Sequence, residues 1–258
     1  MQLHLVLAPD HVERALQLTP HLAHAAFRIG ADGALLIRAL PPTLRGGKLV
    51  VHCPSDFPSV CAGDLARQIM QHCIERRFSG IVLDADSGRP CLSALIGQLA
   101  DICCRYCRQL YIPECCSHTT NQGKILLCTA LSGGSLQQRL EEAVAQYGAA
   151  RIALDLQRLM MDFPLPCPGG EGMPLPRQKL RNLQREHSSY YCEALCAHYL
   201  TYRRSGETHF VLYDEADTLH RKMALAEALG ITEGFVIWPE VDDILPLLFP
   251  DEKKEGEP

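Results

Sequence analysis

The stretch Phe78-Ser79-Gly80-Ile81-Val82-Leu83-Asp84-Ala85-Asp86 is apolar on both faces up to Leu83 and turns acidic only at its carboxyl end. A strand reads this way when both its faces are buried, as in a parallel sheet covered by helices. Helical patterns flank it on either side. Upstream, Leu65, Ile69, Cys73 and Ile74 recur at helical spacing between Asp64 and Arg77. Downstream, Leu92, Leu95, Ile96, Leu99, Ile102 and Cys103 share one face of a helix running from about Leu92 to Arg108. Helix, buried strand and helix in alternation are the unit of an α/β fold.

The same alternation extends almost to both ends of the chain. Before this unit come extended runs at Leu3–Ala8, Ala25–Ile29 and Lys48–His52, with a short helical segment from His11 to Leu18. The second run continues past the Ala31-Asp32-Gly33 turn into Leu35–Ile37. After it come Leu110–Ile112, Ile125–Cys128, Arg151–Leu156 and Gly234–Trp238. Ser135 and Gln138 have capping-box spacing at the head of a helix that Gly148 ends. The Pro/Gly-rich stretch Pro164–Pro176 reads as a long loop, followed by a helix near Gln178–His187. Leu195–Tyr213 reads as a hairpin turning at Ser205-Gly206, and a helix spans about Thr218–Leu229. Eight strands with crossovers fit an open doubly wound sheet or a closed barrel. No strand is followed by a glycine-rich nucleotide loop, since Gly133-Gly134 lacks the required spacing, and about 250 residues is the usual size of a (β/α)8 barrel. The expected architecture is therefore a single (β/α)8 TIM barrel over residues 1–250, with a small hairpin insertion before the last helix. Residues 251–258, charged and containing Pro and Gly, read as a disordered tail.

Composition narrows the function classes. No apolar run approaches the roughly 20 residues needed to cross a bilayer. The formal charge is −5 and the Lys and Arg residues are scattered, so neither a membrane nor a nucleic acid is an expected partner. The start, Met1 to Val6, lacks the basic and long apolar regions of a secretory signal, which predicts a cytoplasmic protein. Thirteen cysteines, many inside apolar patterns, fit buried thiols in a reducing compartment.

Four places taken together resemble glycoside hydrolase family 18, the chitinase and spore-cortex N-acetylglucosaminidase group. Phe78–Asp86 resembles that family's F-D-G-I-D-L-D-W-E. The Ala31-Asp32-Gly33 turn sits where the family often has a similar one. Phe210-Val211-Leu212-Tyr213-Asp214-Glu215 to Leu219, then Lys222 through Gly230, resembles a strand followed by K-x-x-x-A and G. Gly234-Phe235-Val236-Ile237-Trp238 resembles the closing G-x-x-x-W. Ser79 and Val82 replace two of the family's four carboxylates, Ala85 replaces the motif Trp, and Asp86 stands where the catalytic acid is Glu.

The resemblance implies substrate-assisted retention, in which the substrate's N-acetyl oxygen attacks the anomeric carbon. One acid must protonate the leaving oxygen and a neighbouring carboxylate must orient the acetamido group. Asp86 is the expected acid and Asp84 its partner. On one strand, alternate residues point the same way, and crowding two carboxylates raises one pKa. Asp86 is a methylene shorter than Glu, and a misplacement of roughly an ångström can cost about a hundredfold in rate. Its competing reading is the N-cap of the next helix. Trp238 is expected to floor the sugar site, against an ordinary core aromatic. Glu114 is a candidate mouth carboxylate, against a solvated loop charge; Asp155 is another, against a structural pair with an Arg. Glu240 and His52, near strand ends, complete the candidate substrate-binding set. No cofactor is implied. The ligand is expected to be an N-acetylglucosamine-containing glycan such as peptidoglycan or chitin fragments, and the resemblance implies a bacterial, spore-associated setting. The rival is a noncatalytic barrel binding a carbohydrate or a protein partner. A third class rests on Cys103, Cys104, Cys107, Cys115 and Cys116 gathering round zinc. No second CxxC supports that class, so no metal is expected.

Overall fold

The computed structural model describes residues 1–85, 88–167 and 169–250. Asp86, the expected acid, and the tail 251–258 lie outside the described residues. Eight parallel strands form the barrel: Gln2–Leu7, Leu22–Ile29, Lys48–His52, Gly80–Asp84, Gln109–Pro113, Lys124–Cys128, Ile152–Asp155 and Glu233–Ile237. Each is hydrogen-bonded to the next, and the first pairs with both the second and the eighth, which closes the cylinder. Closure settles the choice between barrel and open sheet.

The period of two along each strand decides what faces the axis. On the fourth strand Val82 points inward, where it meets Ala23, Val50, Tyr111, Ala153 and Phe235. Ile81 and Leu83 point outward into the main core beneath the helices. Gly80 begins this strand because a Cβ there would lie 2.6 Å from the Gln109 carbonyl oxygen. Helices Ala62–Glu75, Pro90–Arg105, Leu136–Tyr147 and Ala216–Ala228 cover the cylinder. The helix expected to reach Arg108 stops at Arg105. Other crossovers are reduced: only a short helix, Val12–Ala15, follows the first strand, an antiparallel strand Leu35–Ile37 follows the second, and a single 3-10 turn, Glu114–Cys116, follows the fifth.

Polar side chains close the amino end of the cylinder. The Tyr111 hydroxyl donates to Glu233 at 2.7 Å, Lys124 lies 3.4 Å from the same carboxylate, and the Lys48 ammonium sits 4.8 Å over the Tyr111 ring. His4 is buried against Phe235. Burial above all, with the Lys48 charge second, pushes its pKa down to about 3. Charged side chains that pair here contribute a floor, which leaves the carboxyl end as the open face.

The expected small hairpin is part of a larger unit. Ala197–Arg204 and Glu207–Tyr213 do form it, with Ser205 and Gly206 both at positive φ, as a tight two-residue hairpin turn requires. Three further strands, Met160–Leu165, Met173–Pro174 and Tyr190–Cys192, extend it to a five-stranded antiparallel sheet accompanied by the helix Arg177–Glu186. The stretch read as loop from Pro164 to Pro176 therefore begins in strand and contains a second short one, Met173–Pro174. Asp162 hid the longer strand, because a charge in an apolar run argues against burial. In the fold it is satisfied: it accepts from Tyr202 at 2.6 Å and Lys179 at 3.0 Å, and His209 Nδ1 lies 2.9 Å away.

Candidate functional site at the barrel mouth

At the carboxyl end of the strands lies a cavity of about 390 Å³. Its inner wall is apolar, built from inward-facing Val6, Ala25, Val50, Val82, Leu126 and Phe235. Around these stand Asp84, Glu114, Cys115, Cys128, Asp155 and Gln157. Asp84, Cys128 and Asp155 are the last residues of the fourth, sixth and seventh strands, so backbone register alone brings them to one rim. An apolar pocket with a few convergent polar groups is the usual form of a small-ligand site.

The three carboxylates of this rim differ in their partners. Asp84 is paired in register with His52 on the third strand, and its Oδ2 lies 2.9 Å from His52 Nδ1. Both side chains are about half exposed. Glu114 accepts from Arg139 at 2.6 Å, and Arg139 also donates to the Cys128 carbonyl at 3.3 Å. Asp155 has no cationic partner among the described residues. Its carboxylate accepts one hydrogen bond, from the Gln157 side-chain amide at 2.8 Å. Burial raises its pKa to about 6, opposed by the Gln157 bond and reinforced by the charges of Glu240 and Asp84. The structural Arg pair considered for Asp155 does not form. Asp155 is thus a half-buried carboxyl whose pKa burial raises.

Three expected site residues do not line the cavity: His52, which reaches it only through Asp84, and Trp238 and Glu240. Trp238 is 3 % exposed and packs in the main core outside the cylinder. Its ring stacks on His11 at 4.9 Å with the Arg14 guanidinium 5.4 Å from its centroid, so neither face is open to a sugar. Parity explains the error. Phe235 and Ile237 line the cavity while Val236 packs outside, so Trp238 falls on the outward side. Phe235 is an aromatic that does line the cavity, and the inward alternation of the eighth strand is a signal that could have found it. Glu240 does not line the cavity either. It accepts from the Arg158 backbone N–H at 3.0 Å, and burial pushes its carboxyl above the usual range. Gln157 and Cys128 were not expected at the mouth, and Cys115 was considered only as a zinc ligand; Gln157 stands two residues beyond Asp155, the spacing that repeats a facing direction.

The cysteines expected as rival zinc ligands do not converge. Cys103 is buried in the helix, whereas Cys104 and Cys107 are exposed. Among the described residues the one group with ligand atoms close enough for a metal is His198, Glu215 and Asp217. Asp217 is paired with His198 at 3.1 Å, and Glu215 is engaged by Gln184 at 2.7 Å and by the amides of its helix.

No protein-family model matches the sequence, and no curated protein does. Solved structures do match in fold. The spore cortex-lytic enzyme SleL of Bacillus megaterium QM B1551 aligns over 96 % of this chain and 74 % of its own, with TM-score 0.64 and 15 % identity. The chitinase of Chromobacterium violaceum ATCC 12472 aligns over 95 % and 97 %, with TM-score 0.65 and 15 % identity. A chitinase of Rhizomucor miehei aligns over 96 % and 98 %, with TM-score 0.65 and 12 % identity. The chain therefore shares the (β/α)8 fold of chitinases and spore cortex-lytic enzymes.

Proposed function

We propose that the barrel mouth binds an N-acetylglucosamine-containing glycan, of the peptidoglycan or chitin type, and hydrolyses it with assistance from the substrate's own acetamido group. The observation that carries this reading is Asp84: it ends the fourth strand on the inward parity and borders a cavity whose inner wall is apolar. In this scheme Asp84 orients and polarises the acetamido group, and Asp86 delivers the proton to the leaving oxygen. Asp155 and Glu114 accept hydrogen bonds from sugar hydroxyls, and Phe235 offers an apolar surface to a ring. Nothing in the chemistry calls for a metal or an organic cofactor. The shared fold supports the reading by analogy and cannot carry it alone.

A second reading, a noncatalytic barrel that holds a carbohydrate or a protein partner, is favoured by one specific contact. Asp84 is already engaged by His52 at 2.9 Å, which competes with an acetamido group for the same oxygen. Hydrolysis of chromogenic N-acetylglucosamine oligomers by the wild type, Asp86→Ala and Asp84→Ala separates the two. Turnover lost in both variants supports the enzyme. Binding without turnover in the wild type supports the noncatalytic barrel. We also place the protein in a reducing, cytoplasmic setting with spore association. Supporting the reducing setting are the thirteen cysteines; among the described residues, no helix is long and apolar enough to cross a membrane.

A further inference from the structure

The turn that follows the fifth strand carries two adjacent thiols. Cys115 and Cys116 lie within the 3-10 turn Glu114–Cys116, and their Sγ atoms are 3.9 Å apart. Cys115 is exposed and lines the mouth cavity, while Cys116 is fully buried behind it. Side-chain rotation has to bring the sulfurs to about 2.05 Å to bond them. Their Cα atoms are about 3.8 Å apart across a trans peptide, shorter than the roughly 4.4–6.8 Å of ordinary disulfides. A bond made here is strained, and strained, accessible disulfides are the readily reduced ones.

We propose that Cys115 and Cys116 are a reversible modification site, closing to a disulfide between neighbouring residues on the wall of the barrel mouth when a low-molecular-weight disulfide of the glutathione type is in excess. The two thiols divide the chemistry by access. Cys115 is the one an oxidant reaches. Its thiolate attacks one sulfur of the oxidised glutathione, forming a mixed disulfide and releasing the first glutathione thiolate, which takes up a proton. Cys116 then loses its proton and attacks Cys115 Sγ, which breaks the mixed disulfide and releases the second glutathione. The protein gives up two electrons and two protons, and one glutathione disulfide becomes two thiols. Burial, and then the neighbouring Cys115, push the Cys116 pKa up to about 12. The second step is therefore the slow one, and the mixed disulfide accumulates before the ring closes.

Closure changes the mouth directly. A Cβ on Gly88, beside which Cys116 packs, would lie 3.5 Å from Cys116 Sγ and 2.9 Å from the Cys115 carbonyl oxygen. Either the Cys115 sulfur leaves the cavity wall or the Cys116 sulfur leaves its seat beside Gly88, and Glu114 is in the same turn. Cys53 lies in electrostatic reach of Cys116, and Cys91 in reach of Cys53. Cys53 and Cys91 are the competing partners.

The test is peptide mapping of the full chain under non-reducing conditions, after equilibration in glutathione buffers of increasing oxidised fraction and alkylation of free thiols. The expected result is a tryptic peptide containing Cys115 and Cys116 that has lost two hydrogens, reverting fully on return to reduced glutathione. Cys116→Ser is expected to stop at a stable glutathione adduct on Cys115, and Cys115→Ser to remain unmodified at Cys116. A bridge from Cys116 to Cys53 or Cys91 would overturn the proposal, as would two free thiols at 115 and 116 in the most oxidising buffer. Circular dichroism of each variant confirms that the comparison is made on folded protein. The outcome is independent of whether the mouth cleaves a glycan.

Discussion

Asp214 and Asp155 stand at two ends of the insertion and meet opposite fates. Asp214 follows the last strand of the insertion and is fully buried with Lys222. It accepts from the Lys222 ammonium at 2.7 Å, the Leu159 backbone at 2.9 Å and the Thr218 hydroxyl at 2.8 Å. Asp155 ends the seventh strand just before the insertion begins and has one amide donor. A fully buried carboxylate that accepts three hydrogen bonds, one from an ammonium, holds the chain together and faces no ligand. One with a single donor beside a cavity still has acceptor capacity, and burial keeps it ready to take a proton. Asp214 is thus a joint between insertion and barrel, whereas Asp155 lines the mouth cavity.

The sharpest way to break this contrast is to remove Lys222. Lys222→Met leaves the Asp214 charge buried and uncompensated, and should cost about 3–5 kcal/mol in urea unfolding. Restoring neutrality with Asp214→Asn in the same chain should recover a large part of that loss. A cost below about 1 kcal/mol would mean the joint is not what locks the insertion to its helix.

Asp155→Asn should act in the opposite direction. The folded pKa, about 6, lies above the ordinary 3.8, so the wild type is favoured by protonation at low pH and loses that contribution as pH rises through about 6. The variant keeps one state throughout. It should be more stable than wild type by at most about 3 kcal/mol at pH 8, with the gain shrinking toward pH 4. A difference that does not vary with pH would place Asp155 in water. Smaller still is the rim pair at Glu114. Glu114→Gln should cost about 1 kcal/mol or less, because both partners are about a third exposed. His52→Gln should change stability by no more than about 0.5 kcal/mol, since that pair is half exposed. If His52 merely competes for Asp84, the same substitution should tighten glycan binding.

The barrel was legible in the sequence because buried parallel strands announce themselves. Gly80–Asp84 matches the expected strand residue for residue, and Lys48–His52 does too. Glu114 and Asp155 were candidates because they end or follow apolar strands, and both line the mouth cavity. Trp238 failed for a reason of one residue: a strand's facing direction flips at each step, and a motif match at the end of a strand does not fix which side it exits. The insertion failed at Asp162, whose charge disguised a strand. Only the assembled neighbours, Tyr202, Lys179 and His209, come from sequence positions far enough away to be invisible to a local pattern. Lys222 carried the K-x-x-x-A likeness, yet its job as the counter-charge of Asp214 appears only once helix and strand are packed.

Calorimetric titration of the wild type, Asp84→Ala and Asp155→Ala with an N-acetylglucosamine oligomer tests the mouth as a glycan site most directly. Saturable binding by the wild type, weakened at least about tenfold in each variant, corresponds to about 1.4 kcal/mol per carboxylate and is the predicted result. Equal affinity in all three proteins, or no heat from any of them, would contradict it.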